Sequence, residues 1–426
     1  MTKILHIIII FIVLQSSAQT DMRLIYNLDV PISEFDMEID STSLSVLKIP
    51  FLGFDIAMSS NPRIQDFLYQ EGTSLIFNPF VYADNIESLS SHLIEMDNNI
   101  FYYLLKRNQQ LYSFGIDHKL FLEGVFSEEL ISLMIHGNYQ FLNQEISLTD
   151  NRIRGYNYMS LFFGYSQKIS NTIIGGKIKL LNGVFSFGFN GGNSTLFSVD
   201  NYVTSNTPFS TLVSSDWNAY YTDNLSIGSN LGFGLDVSVK HTFSNHISVF
   251  GSISDVGFIS WREKEYSSTG TYLFNGLDYI IDDDLVAGFT NIYDTIVDIF
   301  SIETTNNLKN TRHLPYQVDL GFNYLFDNID KNQLTFNYNF QKLNITKPLS
   351  TYTIAYTTHF DEYQLSIIPM YSLNRISKTN FSLFINKKWK DGFVTNLYAE
   401  NIFNMLGLFS SSLNATSLGF EMFLLF

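Results

Sequence analysis

The sequence predicts an all-β chain: one transmembrane antiparallel β-barrel of about 14 strands, within a range of roughly 12–16, carrying an N-terminal plug-like segment and short helical insertions. Three observations predict it. The chain ends on "SLGFEMFLLF" (417–426). Side chains alternate along a strand, so Leu418, Phe420, Met422, Leu424 and Phe426 share one face that is wholly apolar. Such a face on a soluble sheet edge invites aggregation, whereas lipid accepts it if the backbone is paired in a closed ring. From residue 312 onward seven alternating segments follow one another, separated only by turn chemistry, with no room for helical crossovers. Aromatic residues make up 16% of the chain, with 39 Phe and 25 Tyr, which suits aromatic girdles at two membrane interfaces.

Read in order, the chain opens with Lys3, the apolar run Ile4 to Leu14, and the small residues Ser16 and Ala18. That is a secretory leader with cleavage expected after Ala18, and its apolar run is too short for a spanning helix. Residues 19–426 are then one barrel domain. Within it, 21–60 is irregular and reads as the segment that enters the barrel. The stretches 84–107, 127–138 and 282–303 carry helical spacing, the last capped by Asp282 to Asp284. "QLYSFGIDHKL" and "FLEGVFS" read as an early hairpin, and five further segments between residues 155 and 261 continue the alternation. In "YQVDLGFNYLF" Phe322 falls on the lipid side and Asn323 on the lumen side; in "LTFNYNF" the same holds for Phe336 and Asn337. The second face is rich in Asn, Asp, Gln and Thr, which a watery lumen explains better than the dry interior of a sandwich.

Composition removes several function classes. There is no cysteine, which excludes disulfides, thiolate metal sites and a cysteine nucleophile. A formal charge of −16 disfavours nucleic acid as a partner. His92, His118, His136, His241, His246, His313 and His359 stand in no triad, HExxH or metal-ligand spacing, so no catalytic residue, metal or cofactor is expected. The glycines of "GGKIKLLNG" form no phosphate-binding pattern and read as relief of crowding or a bulge. Asp282–Asp284 lack the spacing of a calcium loop and read as a helix cap. "ISWREKEY" (259–266) is the sharpest local cluster. Trp261 and Arg262 are candidates for a ligand or partner surface, although a Trp anchoring a strand end at the membrane interface is the favoured reading.

The segments 175–189, 232–243, 252–279 and "YAENIFN" (398–404), together with the Phe-terminated last strand, resemble a Bacteroidota outer-membrane β-barrel family of unknown function. That family is related to the long-chain fatty-acid transporter and type IX secretion barrel proteins. The resemblance implies an outer-membrane barrel assembled by the barrel-assembly machinery. It also implies one of two roles: passage or binding of a small hydrophobic molecule through a plugged lumen, or a scaffold docking secretion-system proteins. In either role the apolar face of the last strand serves as an assembly signal. Deleting Phe426, or the substitution Leu424→Asp, should leave protease-sensitive protein in the periplasm. Wild-type amounts of heat-modifiable barrel in outer-membrane fractions would contradict this.

Overall fold

The structure, a computed structural model, describes residues 43–48, 54–61, 68–71, 74–86, 89–200, 209–222, 228–274, 301–326, 332–360, 365–374, 378–389, 392–400 and 415–426. They form a closed antiparallel β-barrel of 14 staves. The first stave is two strands in succession, β1 (Ser43–Lys48) and β2 (Phe54–Asn61). Beyond the wall, β3 (Leu68–Glu71) and β4 (Ser74–Phe77) pair as a separate hairpin. The wall continues through β5 (Leu89–Arg107), β6 (Gln110–Ser127), β8 (Arg152–Ile169) and β9 (Thr172–Asn190). The next stave is again interrupted: β11 (Phe209–Thr222) and β12 (Leu231–Thr242) both lie between β9 and β13 (Ile247–Phe274). Two short strands, β7 (Glu145–Ser147) and β10 (Thr195–Asp200), extend the sheet from β11.

On its other side β13 pairs with the collinear strands β14 (Glu303–His313) and β15 (Tyr316–Leu325). The ring then runs through β16 (Gln333–Lys342), β17 (Leu349–Phe360), β18 (Leu365–Asn374), β19 (Lys378–Lys388), β20 (Phe393–Glu400) and β21 (Ala415–Leu425). β21 pairs with both β1 and β2, closing the barrel. The described turns beside Ser43 and Phe426 are short, as at 108–109 and 170–171, and the longer described connection 128–151 lies at the other mouth.

The two faces of the wall are inverted relative to a soluble protein. On β17, Tyr352 and Ile354 are each 50% exposed on the outside, while Thr351 and Thr353 are 0% and 2% exposed on the inside. The same holds for Phe322 and Tyr324 outside against Asp319 inside on β15, and for Phe233, Leu235 and Val237 outside against Asp236 and Ser238 inside on β12. Phe322 stacks on Phe336 across β15 and β16 with ring centroids 5.7 Å apart, a cross-strand contact of the outward face. Inside, Asn337 Oδ1, Thr351 Oγ1 and Ser382 Oγ are buried and meet no protein partner. A polar wall of this kind needs water to satisfy it.

Three expectations are corrected. The stretch 84–107, expected to be helical, is wall from Leu89 onward. A β-bulge between Asn99 and Phe101 moves the inward set from Leu93, Glu95 and Asp97 to Tyr102 and Leu104, and the phase jump hides the two-residue period. "QLYSFGIDHKL" and "FLEGVFS" are one strand, β6, with no hairpin between them. Of the N-terminal segment 21–60, residues 43–48 and 54–60 belong to the wall rather than to a plug, because β21 and β5 each need a partner there. Residues 21–42, the leader, and 282–300 with Asp282–Asp284 lie outside the described residues.

The expected helix at 127–138 is present as α2 (Glu128–His136), capped by the Ser127 side chain on the Leu130 N–H at 3.2 Å. It packs through Ile131 on Ala83 of α1 (Pro79–Asp84). Between them Tyr82 holds His92 at 2.8 Å, and burial pushes its phenol up to about 12.

The adjacent residues Phe322 and Asn323 sit at one depth on opposite faces, so they isolate the effect of facing. Phe322→Arg should destabilise the refolded barrel by about 2–4 kcal/mol and Asn323→Arg by much less, as read by reversible denaturant unfolding in lipid. Equal costs would remove the lipid-facing assignment.

Candidate functional site

The lumen is built in three layers from inward residues of β5, β6, β8, β9, β12 and β13, with β1 and β21 contributing to the first. Beside Ser43 and Phe426 lies an aromatic and aliphatic layer of Tyr102, Leu104, Leu111, Phe162 and Phe423. Lys177 lies over the Phe162 ring at 4.9 Å, and Lys48 pairs with Glu421 at 2.8 Å. Above it sits a five-membered charge network. Lys119 Nζ is 3.1 Å from Asp97 and 2.8 Å from Asp255; Lys179 Nζ is 2.7 Å from both Asp236 and Asp255. Asp255 is shared because it sits at a β-bulge where Asp236 alone faces two residues of β13. Its positive φ of 59° is a conformation that Asp tolerates, and its N–H donates to Asp236 Oδ1 at 2.8 Å. Two lysines against three aspartates leave the layer with one excess negative charge.

The third layer is apolar. Phe121, Tyr156, Tyr158, Leu181, Ile259 and Trp261 form a buried cluster. Trp261 is 1% exposed and lies against Gly183, where a Cβ would stand 2.4 Å from its ring. The glycine of "LLNG" thus relieves crowding inside the lumen. Trp261 therefore does not anchor the wall at a membrane interface. Residues 259, 261 and 263 point inward beyond the Asp255 bulge, while Arg262 points outward and is exposed. Adjacent strand residues take opposite faces, so Trp261 and Arg262 share no surface. On β21, Leu418 is exposed, Phe420, Met422 and Leu424 are half-buried and Phe426 is exposed, whereas Ser417, Gly419 and Phe423 are buried. The apolar face of the last strand is its outward face.

What covers the third layer comes from the far wall. β16 and β17 are short, and the turn joining them, residues 343–348, folds into the lumen. Leu343 and Leu349 join the Trp261 cluster, each 1% exposed. The turn's backbone reaches β6, which stands opposite in the ring. The Glu123 carboxylate, 0% exposed, accepts the N–H groups of Asn344 at 3.0 Å, Ile345 at 3.2 Å and Thr346 at 3.0 Å, and the Thr346 hydroxyl at 2.8 Å. Asn344 Nδ2 donates to the Tyr156 hydroxyl at 2.6 Å, and Gln341 Nε2 to Glu95 at 2.5 Å. The inward turn is a bar across the lumen, latched by one buried carboxylate.

Sequence reasoning missed Glu123, Glu95 and the bar. The signal for Glu123 was in "FLEGVFS": it shares the inward face with Phe121 and Val125, an acid between two apolar inward neighbours. "NITKP" reads as an ordinary turn, and nothing local tells it to point inward. Among the described residues no group of three His, Asp or Glu is placed to hold a metal ion. His118 meets Asn157 and His241 meets Thr172, each at 2.8 Å.

Residues 41–393 match a family described as a family of unknown function, DUF5723. The chain belongs to this family. No curated protein matches it. Among solved structures, the Pseudomonas putida toluene transporter TodX is similar over 96% of this chain and 94% of its own, at 8% identity and a TM-score of 0.41. The Ralstonia pickettii toluene transporter TbuX is similar over 91% and 89%, at 6% identity and 0.40. A Pseudomonas aeruginosa FadL homologue is similar over 90% and 89%, at 8% identity and 0.39.

The latch can be read directly because the DUF5723 chain has no native cysteine. Ile345→Cys should react slowly with a maleimide in the folded barrel, and adding Glu123→Gln should speed labelling by about tenfold or more, since hydrogen bonds to a charged acceptor are worth about 1.5–3 kcal/mol each. Identical rates in the two backgrounds would mean that Glu123 does not hold the turn.

Proposed function

We propose that this DUF5723 chain is a gated barrel of the bacterial outer membrane that binds or passes a small hydrophobic molecule, with residues 343–348 as the gate. The membrane part of the reading is supported by the inverted wall: apolar side chains exposed outside, polar and charged ones buried inside. Only lipid offers that exterior a favourable surrounding, and only a closed ring spans lipid with strands. The leader at 1–18 would deliver the chain to the periplasm, and the outward face of β21 would be read during assembly. The short-turn end would face the periplasm and the long-loop end the outside.

The observation that carries the functional reading is the covered apolar layer. A ring of 14 staves is too wide for its own side chains to fill, since about eight strands already just fill theirs. Here the filling is a turn that can leave without breaking a strand pair of the wall. When it leaves, Leu343 goes with it and uncovers a chamber lined by Trp261, Ile259, Tyr156 and Tyr158, with Leu349 of β17 at its edge. A chamber of that lining favours an apolar guest with a few polar contacts. A plain scaffold would need neither the chamber nor the removable cover.

Purified intact protein should show little conductance in planar bilayers, because the turn bars the lumen. Replacing residues 344–347 by two glycines should raise single-channel conductance while the wall stays heat-modifiable. Large steady currents from the intact chain, or no change in the shortened one, would refute the gate.

A further inference from the structure

We infer that the chamber behind the turn takes a hydrophobic molecule bearing an N–H donor group, an alkyl ammonium or primary amide, in preference to a hydrocarbon, an alcohol or a carboxylate. This deepens the gated-lumen reading and rests on it. The turn and the strand ends that carry it, Gln341 on β16 and Leu349 on β17, meet the far wall through the apolar side chains of Leu343 and Leu349 and through a set of polar groups that all donate. Three backbone N–H groups and one hydroxyl converge on Glu123. The Asn344 and Gln341 amides donate to Tyr156 and Glu95. The wall presents acceptors set among aromatic and aliphatic side chains, and the turn is the molecule's own ligand for them.

Any guest that displaces the turn inherits its obligations. Glu123 is wholly buried, and a carboxylate left without donors in such a place is strongly unfavourable. A hydrocarbon supplies no donor, and an alcohol supplies one. A carboxylate adds a third negative charge beside Glu123 and Glu95. An ammonium supplies three donors, as the three N–H groups of 344–346 do now, and adds a compensating charge that those neutral amides lack. The layer beneath points the same way, since Asp97, Asp236 and Asp255 outnumber Lys119 and Lys179. Two groups on one face of β8 argue for an anion, Arg152 and Arg154, each with a buried, unbonded Nε. Arg154, the cross-strand neighbour of Glu123, lies over the Tyr156 ring at 5.7 Å with its Nε unbonded. Its guanidinium is drawn to the ring and makes no ion pair with Glu123, so the test includes a carboxylate.

The full-length protein in lipid nanodiscs is titrated calorimetrically with n-octylammonium, n-octanol and n-octanoate, subtracting empty discs. We expect saturable octylammonium binding at least about tenfold tighter than either competitor. Glu123→Gln should erase most of that preference, and the two-glycine variant of 344–347 should bind octylammonium more tightly than the intact chain. Octanol binding as tightly, or octanoate preferred, overturns the donor inference and leaves the gated chamber standing. Saturation by no probe, even in the two-glycine variant, removes the chamber and the inference together. The comparison of probes on the unmodified chain does not depend on any variant folding.

Discussion

Everything in this structure depends on one pairing, that of the last strand with the first. The Ser45 N–H donates to the Phe426 carbonyl at 2.9 Å and the Phe426 N–H returns the bond to Ser45 at 3.0 Å. With that pair made, the sheet has no edge in the wall, and each stave has a neighbour on both sides. An open sheet would expose a row of unpaired backbone groups, which lipid cannot hydrate. Closure therefore frees the outside from any polar requirement. The exterior can be Leu, Ile, Val, Phe and Tyr throughout, and the polar residues that solubility would otherwise place outside are driven in.

That inversion creates the second problem, a wide polar interior. The chain solves it unevenly. The half of the wall from β5 to β13 is tall and carries the paired charges and the aromatic cluster. The half from β15 to β20 is short and lined mainly with neutral Asn, Thr and Ser. The height difference is what lets the 343–348 turn matter: the β15–β16 ladder ends at Tyr316 and Lys342, well below the reach of β13, and a turn starting that low can fold inward. Charges buried within the tall half are tolerable because they are cross-linked, with Asp255 serving both lysines.

Much of the wall was legible in the sequence because a half-buried strand leaves a two-residue period that no packing erases. β15 to β21 show it cleanly, and Phe322, Asn323, Phe336 and Asn337 face as their alternation says. Legibility failed where a bulge shifts the phase. Asn99–Phe101 made β5 look helical, and the Asp255 bulge hid the fact that Trp261 points inward. The lumen was legible only as polarity. Which inward residues meet depends on pairs more than two hundred positions apart, such as Glu123 with Thr346, and on a turn whose direction is set by the height of its staves. Neither leaves a local trace.

The choice of a carboxylate as latch has a consequence for how the turn moves. An apolar plug would loosen by degrees, because packing is non-directional and each lost contact costs little. Glu123 gathers four donors from three consecutive residues, and they share one rigid piece of backbone. Losing one donor strains the rest, and losing all of them exposes a buried charge. Partly open arrangements are therefore the least favourable, and under the proposed gating the turn would have two stable positions, seated or displaced by something that satisfies Glu123. Under the proposed gating, a barrier built in this way would open to chemistry that matches the latch, and thermal loosening alone would leave it shut.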